Sequence, residues 1–123
     1  KFNKTKFFLG LPGNPVSCFI TMLLFFPIYI NSFYGFEYIK LSQEKLITKN
    51  DINNNNKLTS FLRIKLDNKS RKHFQVFDNQ DSSLQKILNE SDGILMRKPY
   101  SRSSKSGQSL DVILYQNILN NEI

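Results

Sequence analysis

The chain has 123 residues, 40% of them hydrophobic and 22% charged, with a formal net charge of +7. This is a globular, soluble composition, sufficient for one modest domain or for a small domain plus part of another. The single cysteine, Cys18, excludes an internal disulfide and a cysteine-based zinc site. The basic residues are scattered apart from Lys69-Ser70-Arg71-Lys72 and Arg97-Lys98 through Lys105, with no zinc-finger spacing, basic heptads or aromatic-flanked RNA signature, so no nucleic-acid partner is expected.

The sequence opens on Lys1 rather than methionine and reads as an excised piece of a longer protein. Its first apolar run follows a Pro-Gly-Asn-Pro turn and lacks a small-residue cleavage site, unlike a secretory signal. A lone cysteine in an apolar run reads as a small buried hydrophobe and fits a reducing, cytoplasmic setting.

Lys6 to Leu11 is mostly apolar and predicts a buried strand feeding the turn at Pro12-Gly13. Asn14 is a favoured N-cap, and Pro15 falls at the first helical position, where a missing N–H costs nothing. A helix is predicted from Pro15 to about Phe33, stopped near Gly35. It is apolar on nearly every face, from Val16, Phe19 and Ile20 to Tyr29 and Ile30. Its uninterrupted apolar character covers roughly 15 residues, short of the ~20 that cross a bilayer, and the segment also contains Ser17, Thr21 and Pro27. A helix buried between a sheet and a neighbouring domain is expected, rather than a membrane span.

The texture changes after Gly35, which places a domain boundary there: 1–36 as the end of one domain and 40–123 as another. Short alternating segments follow, separated by Asn, Asp, Ser and Lys. The run Asn53–Asn56 reads as a solvated loop of little content. In Phe61–Leu66, Leu62, Ile64 and Leu66 share one strand face and Arg63 and Lys65 the other. Phe74–Phe77 is a second strand, joined to the first by the polar turn Asp67–Lys72, with His73 at its start as a surface residue. Ser82–Asn89 has helical spacing through Leu84, Ile87 and Leu88, with Ser82 or Ser83 as its cap. Gly93–Met96 and Leu110–Leu114 are further strands, and Lys98–Gly107 is a polar connection. The fold class is therefore α+β: a strand and helix followed by a small β-rich domain, a barrel or rolled sheet.

The strongest chemical signal is Gly10-Leu11-Pro12-Gly13-Asn14-Pro15-Val16-Ser17, a sharp turn into a helix start. A helix N-terminus carries about half a positive charge and presents unpaired N–H groups, so an oxyanion such as phosphate can bind there without a charged side chain. The same residues equally serve to start a buried helix.

The segment Leu-Pro-Gly-Asn-Pro-Val-Ser, followed by Pro27 and Gly35, resembles the corresponding stretch of the molybdopterin molybdenumtransferase family. The likeness continues through Phe61-Leu62-Arg63, Gln80-Asp81-Ser82-Ser83, Ser91-Asp92-Gly93-Ile94 and Gly107-Gln108-Ser109-Leu110-Asp111-Val112, in the family's order. It implies that residues 1 to about 36 close an α/β/α molybdopterin-binding domain and that a C-terminal β-barrel follows. It implies a reaction too: adenylylated molybdopterin and molybdate give molybdenum cofactor and AMP, with Mg2+ assisting.

By this resemblance the substrate-binding residues are Pro12, Gly13, Asn14, Pro15, Ser17, Arg63 and Ser82. Pro12 and Pro15 shape a pocket wall, Gly13 admits a close backbone approach, and Asn14 caps the helix. Arg63 and Ser82 match cleft-facing positions able to hold an oxyanion, although Arg63 also reads as a solvent-facing strand residue and Ser82 as a cap. The departures are Asp81 where the family has glycine, Ser91 where it has alanine, and Gln108 where it has glutamate. The family's catalytic acids, Mg2+ ligands and pocket lysines are expected upstream of Lys1, so the chain alone is expected to be inactive. Family members are homodimers. A scaffold role of the gephyrin type, or a non-catalytic remnant of the same fold, is the alternative.

Overall fold

The computed structural model describes residues 8–35, 41–80 and 85–119, the side chains of Gln85 and Leu119 excepted. Helix α1 (Pro15–Tyr34) begins and ends where its caps dictate. Asn14 has an extended backbone and accepts from the Val16 and Ser17 amides, and Pro15 opens the first turn. At the other end Gly35 adopts φ 71°, a left-handed conformation open to glycine at little cost, and its N–H closes back onto the Asn31 carbonyl. Pro27 sits inside the helix.

Among the described residues five strands follow: β1 (Glu44–Thr48), β2 (Ser60–Leu66), β3 (His73–Val76), β4 (Gly93–Arg97) and β5 (Ser109–Leu114). They close into a barrel in the order β1-β3-β2-β4-β5, with β5 returning to β1. Among the described strands only the β1–β3 pairing is parallel. The alternation in β2 does what its sequence pattern requires. Ile64 is fully buried inside, flanked by the half-buried Leu62 and Leu66, among Leu46, Phe74, Leu95, Val112 and Leu114. Burying each such side chain is worth about 1.5–3 kcal/mol. Where β4 meets β5 the barrel admits only glycine: a Cβ on Gly93 would press on the Ile113 carbonyl and come within 3.0 Å of the Leu114 Cα.

A second cluster lies on the outer wall. Val16, Ile20 and Leu24 of α1 pack on Ile94 and Ile113, joined by Phe19, Leu41, Phe61, Leu88, Tyr115 and Ile118. Two short helices complete this side, α2 (Gln85–Glu90) and α3 (Tyr115–Leu119). The opposite side of α1 leaves Met22, Phe25, Phe26, Phe33 and Tyr34 exposed, and Cys18 is half-buried rather than buried. At 20 residues α1 is long and apolar enough to cross a bilayer by length and composition alone, a test that a core helix also passes. Only about a quarter of its most apolar window is buried, 28%.

Two expectations change, and one strand is added to those the sequence predicts. The strand predicted over Lys6–Leu11 is not one: residues 8–11 carry no strand and Phe8 is 93% exposed, while 6 and 7 lie outside the described residues. No neighbouring strand runs beside this segment among the described residues, and an unpaired strand has no ladder bonds to hold it. The polar segment Glu44–Thr48 becomes β1, which closes the barrel. The Asn run is not a bland loop. Asn55 donates from its side chain to the carbonyls of Leu58, Arg97 and Lys98, Asn54 accepts from the Ser103 amide, and Ile52 bridges to Ser104. Short amide side chains that mimic backbone partners stitch this loop to the β4–β5 connection.

Candidate functional site

The helix start is built as a cap before it is anything else. The Asn14 Oδ1 accepts from the Val16 N–H at 3.1 Å and the Ser17 N–H at 3.2 Å, and the Cys18 N–H bonds the Asn14 carbonyl at 2.8 Å. Pro15 has no N–H. The first-turn amides that an anion would use are therefore already engaged by Asn14. Pro12, Gly13 and Pro15 are exposed, Asn14 and Ser17 half-buried, and the space over Gly13 is open to 4 Å.

Arg63 lies elsewhere than the polar-face reading places it. It points away from the barrel interior, as the pattern requires, yet it is only 3% exposed. Its ladder partner is Ile94, which packs under Val16 and Ile20, and α2 lies against its strand. The solvent-facing reading is thus corrected, because elements distant in sequence cover this face. Gln80 fixes the Arg63 backbone as a strand neighbour would. Its side-chain carbonyl accepts from the Arg63 N–H at 2.9 Å, and its amide donates to the Arg63 carbonyl at 3.1 Å and the Phe77 carbonyl at 2.8 Å. Gln80 is thereby anchored on β2 beside Arg63. Ser82 itself, Asp81, and the cap assigned to Ser82 or Ser83 lie outside the described residues.

The same face holds Tyr115, which sequence reasoning passed over. Its hydroxyl is 3.2 Å from the Ser91 Oγ, and its ring meets Phe19 of α1 edge to face at 5.3 Å between centroids. Burial pushes the phenol's pKa up, while the Ser91 hydrogen bond and the Arg63 charge pull it down. No pattern marks Tyr115: it opens a five-residue helix directly after β5. Ser91, one of the departures, also donates to the Leu88 carbonyl, and Gln108 accepts from the Lys105 amide; both hold turns. His73 opens β3, half-buried, with its Nδ1 3.0 Å from the Ser70 Oγ.

One face thus joins the first turns of α1, Arg63, Tyr115 and the Gln80 anchor. A guanidinium in partly dry surroundings is suited to a tetrahedral oxyanion, by charge and by its fixed fork of donors. Pro12 and Gly13 are not drawn into this cluster. Among the described residues no three His, Cys, Asp or Glu side chains gather in one place, so these elements do not fit Mg2+.

Residues 45–115 match the family model described as the MoeA C-terminal region (domain IV). No curated protein matches the chain. Among solved structures, a molybdopterin biosynthesis moeA protein from Pyrococcus horikoshii superposes with a TM-score of 0.69 at 23% identity, over 84% of this chain and 26% of its own. A molybdenum cofactor biosynthesis protein from Pyrococcus furiosus gives 0.65 at 19% identity, over 84% of this chain and 36% of its own. A second Pyrococcus horikoshii structure gives 0.67 at 22%, over 86% and 25%. The chain therefore spans between a quarter and about a third of the length of these structures.

Proposed function

Because the chain belongs to the MoeA C-terminal region (domain IV) family, we propose that its parent protein acts in molybdenum-cofactor biosynthesis, inserting molybdate into adenylylated molybdopterin with release of AMP. The match over residues 45–115 is the observation that carries this reading. We propose the division into 1–36, from an α/β molybdopterin-binding domain, and 40–123, the barrel domain.

In this reading the chain contributes part of a site. Arg63, whose backbone Gln80 fixes, supplies positive charge to a substrate oxyanion, with Ser82 proposed as a second donor. Asn14 holds the start of α1, and Pro12, Gly13, Pro15 and Ser17 form the wall on that side. Tyr115, kept protonated by burial, acts as a donor or positions Arg63, not as a base. Mg2+ would supply charge neutralisation for the leaving adenylate, held by ligands outside the described residues. The parent protein is proposed to be a cytoplasmic homodimer.

The test is made in the full-length parent protein. Arg63→Ala should weaken molybdate-dependent cofactor formation by about 10–100-fold, as loss of a charged hydrogen bond of about 1.5–3 kcal/mol implies. Cofactor formation with unchanged rate and unchanged molybdate dependence would remove Arg63 from the site. A parent gene without a molybdopterin-binding domain ahead of Lys1 would defeat the reading as a whole.

A further inference from the structure

On the inner side of β4, at the barrel mouth, lies a second buried guanidinium. Arg97 shares the inward parity of Leu95 and is 6% exposed. Its Nη2 donates to the carbonyls of Ser101 and Arg102, which pins the β4–β5 connection where Tyr100 holds φ 58°. Its Nη1 is buried with no hydrogen-bond partner, and no carboxylate pairs with it among the described residues. Burial lowers its pKa, yet an arginine in a protein keeps its proton. A buried cation without a counter-charge is costly, and it attracts an anion wherever one can enter.

An entrance exists. Arg97 lines a cleft of about 250 Å³, open on one side, formed by the Asn loop, the end of β3 and Gln80. The side-chain nitrogens of Asn53 and Asn54 on this wall make no hydrogen bond among the described residues, and Leu62 floors the cleft. Of the two carboxylates on the lining, Asp51 is committed to Lys105 and to the Ser106 amide. The other, Asp78, is exposed.

We propose that this barrel mouth is a binding site for a small tetrahedral oxyanion of the phosphate class, held by the Arg97 guanidinium and the Asn53 and Asn54 amides. It lies on the opposite face of the barrel wall from Arg63, and it does not depend on the molybdenum chemistry. The charge pattern gives the site a sign on each wall: Arg97 and the amides attract, and Asp78 opposes.

The experiment titrates inorganic phosphate into the intact protein and follows backbone amide chemical shifts by NMR. Saturable shifts should centre on residues 51–55, 97 and 101–102. Arg97→Met should weaken binding by about tenfold or more, with Arg97→Lys intermediate because a lysine lacks the fork. Two surface variants guard against misfolding of the Arg97 variants: Asn53→Asp should weaken binding by about threefold and Asp78→Asn should strengthen it by about threefold, both less so at high salt. Shifts confined to the lysines around Asp67, no saturable shift at all, or equal affinity in Asn53→Asp and Asp78→Asn would each overturn the site.

Discussion

The barrel and helix α1 bury apolar side chains in opposite ways. The barrel surrounds its own core: Ile64, Phe74 and Val112 are fully enclosed, and each strand has a partner on both sides. Helix α1 covers only one stripe, through Val16, Ile20, Leu23 and Leu24, while Met22, Phe25, Phe26 and Phe33 stay exposed among the described residues. A closed sheet is self-sufficient in hydrogen bonds and in packing. A helix that is apolar all round gets its backbone bonds from itself but needs neighbours on every side to hide its surface. The barrel is thus the structural unit, and α1 is held to it by one seam.

This contrast can be broken by mutation, beginning inside the barrel. Phe74→Ala empties the position of the largest fully enclosed side chain and should cost about 3–5 kcal/mol, read as a lower midpoint in urea unfolding. A loss below about 1 kcal/mol would mean that the barrel is not the stable unit.

Asn14→Ala removes the cap of α1 and should cost about 1 kcal/mol. Hydrogen exchange should show faster amides in the first turn of α1 while the barrel strands keep their protection. Equal loosening of both would show that helix and barrel open as one unit, against the single-seam picture.

The smallest effect is at the barrel rim. Asp67, ion-paired with Lys49 and accepting from the Lys69 amide, has its pKa held down to about 2 from 3.8. The folded state binds this proton less readily than the unfolded chain. Its contribution is therefore fully present above pH 3.8 and is lost as the pH falls towards 2. Because the pair is at the surface the effect is small and screened by salt. Asp67→Asn should lower stability slightly at neutral pH and flatten the acid limb between those pH values by the same small amount. An unchanged acid limb would remove the pair from the account.

How far the fold could be read depended on whether local pattern or distant partners decided each element. Helix α1 was legible to within a residue because its signals are local: Asn14, Pro15 and Gly35 act on their own backbone. The two-residue alternation marked β2, β3, β4 and β5 for the same reason. Strand β1 was missed because Glu44-Lys45-Leu46-Ile47-Thr48 offers little alternation, and its two neighbours, β3 and β5, are remote in sequence. Burial of Arg63 was equally illegible. Its pattern groups it with Lys65 on the polar face, and only the helices laid over that face bury one and not the other. Arg97 looked like one more scattered charge, since nothing nearby in sequence reveals that a barrel interior ends at its side chain.

The pairing of β1 with β3 and β5 also governs how the chain reaches its fold. The β2–β3 hairpin can form early, from residues close in sequence, and β4 can add to β2 once the intervening segment has been traversed. β1 must wait for β3 on one side and, on the other, for β5, whose register pairs Glu44 with Val112. The ring therefore closes last and nearly at once, a step of high contact order that should be slow relative to hairpin formation. Until the final strand has left the ribosome, β1 and β4 would each present an open edge, which makes the nascent chain more prone to aggregation than the finished barrel.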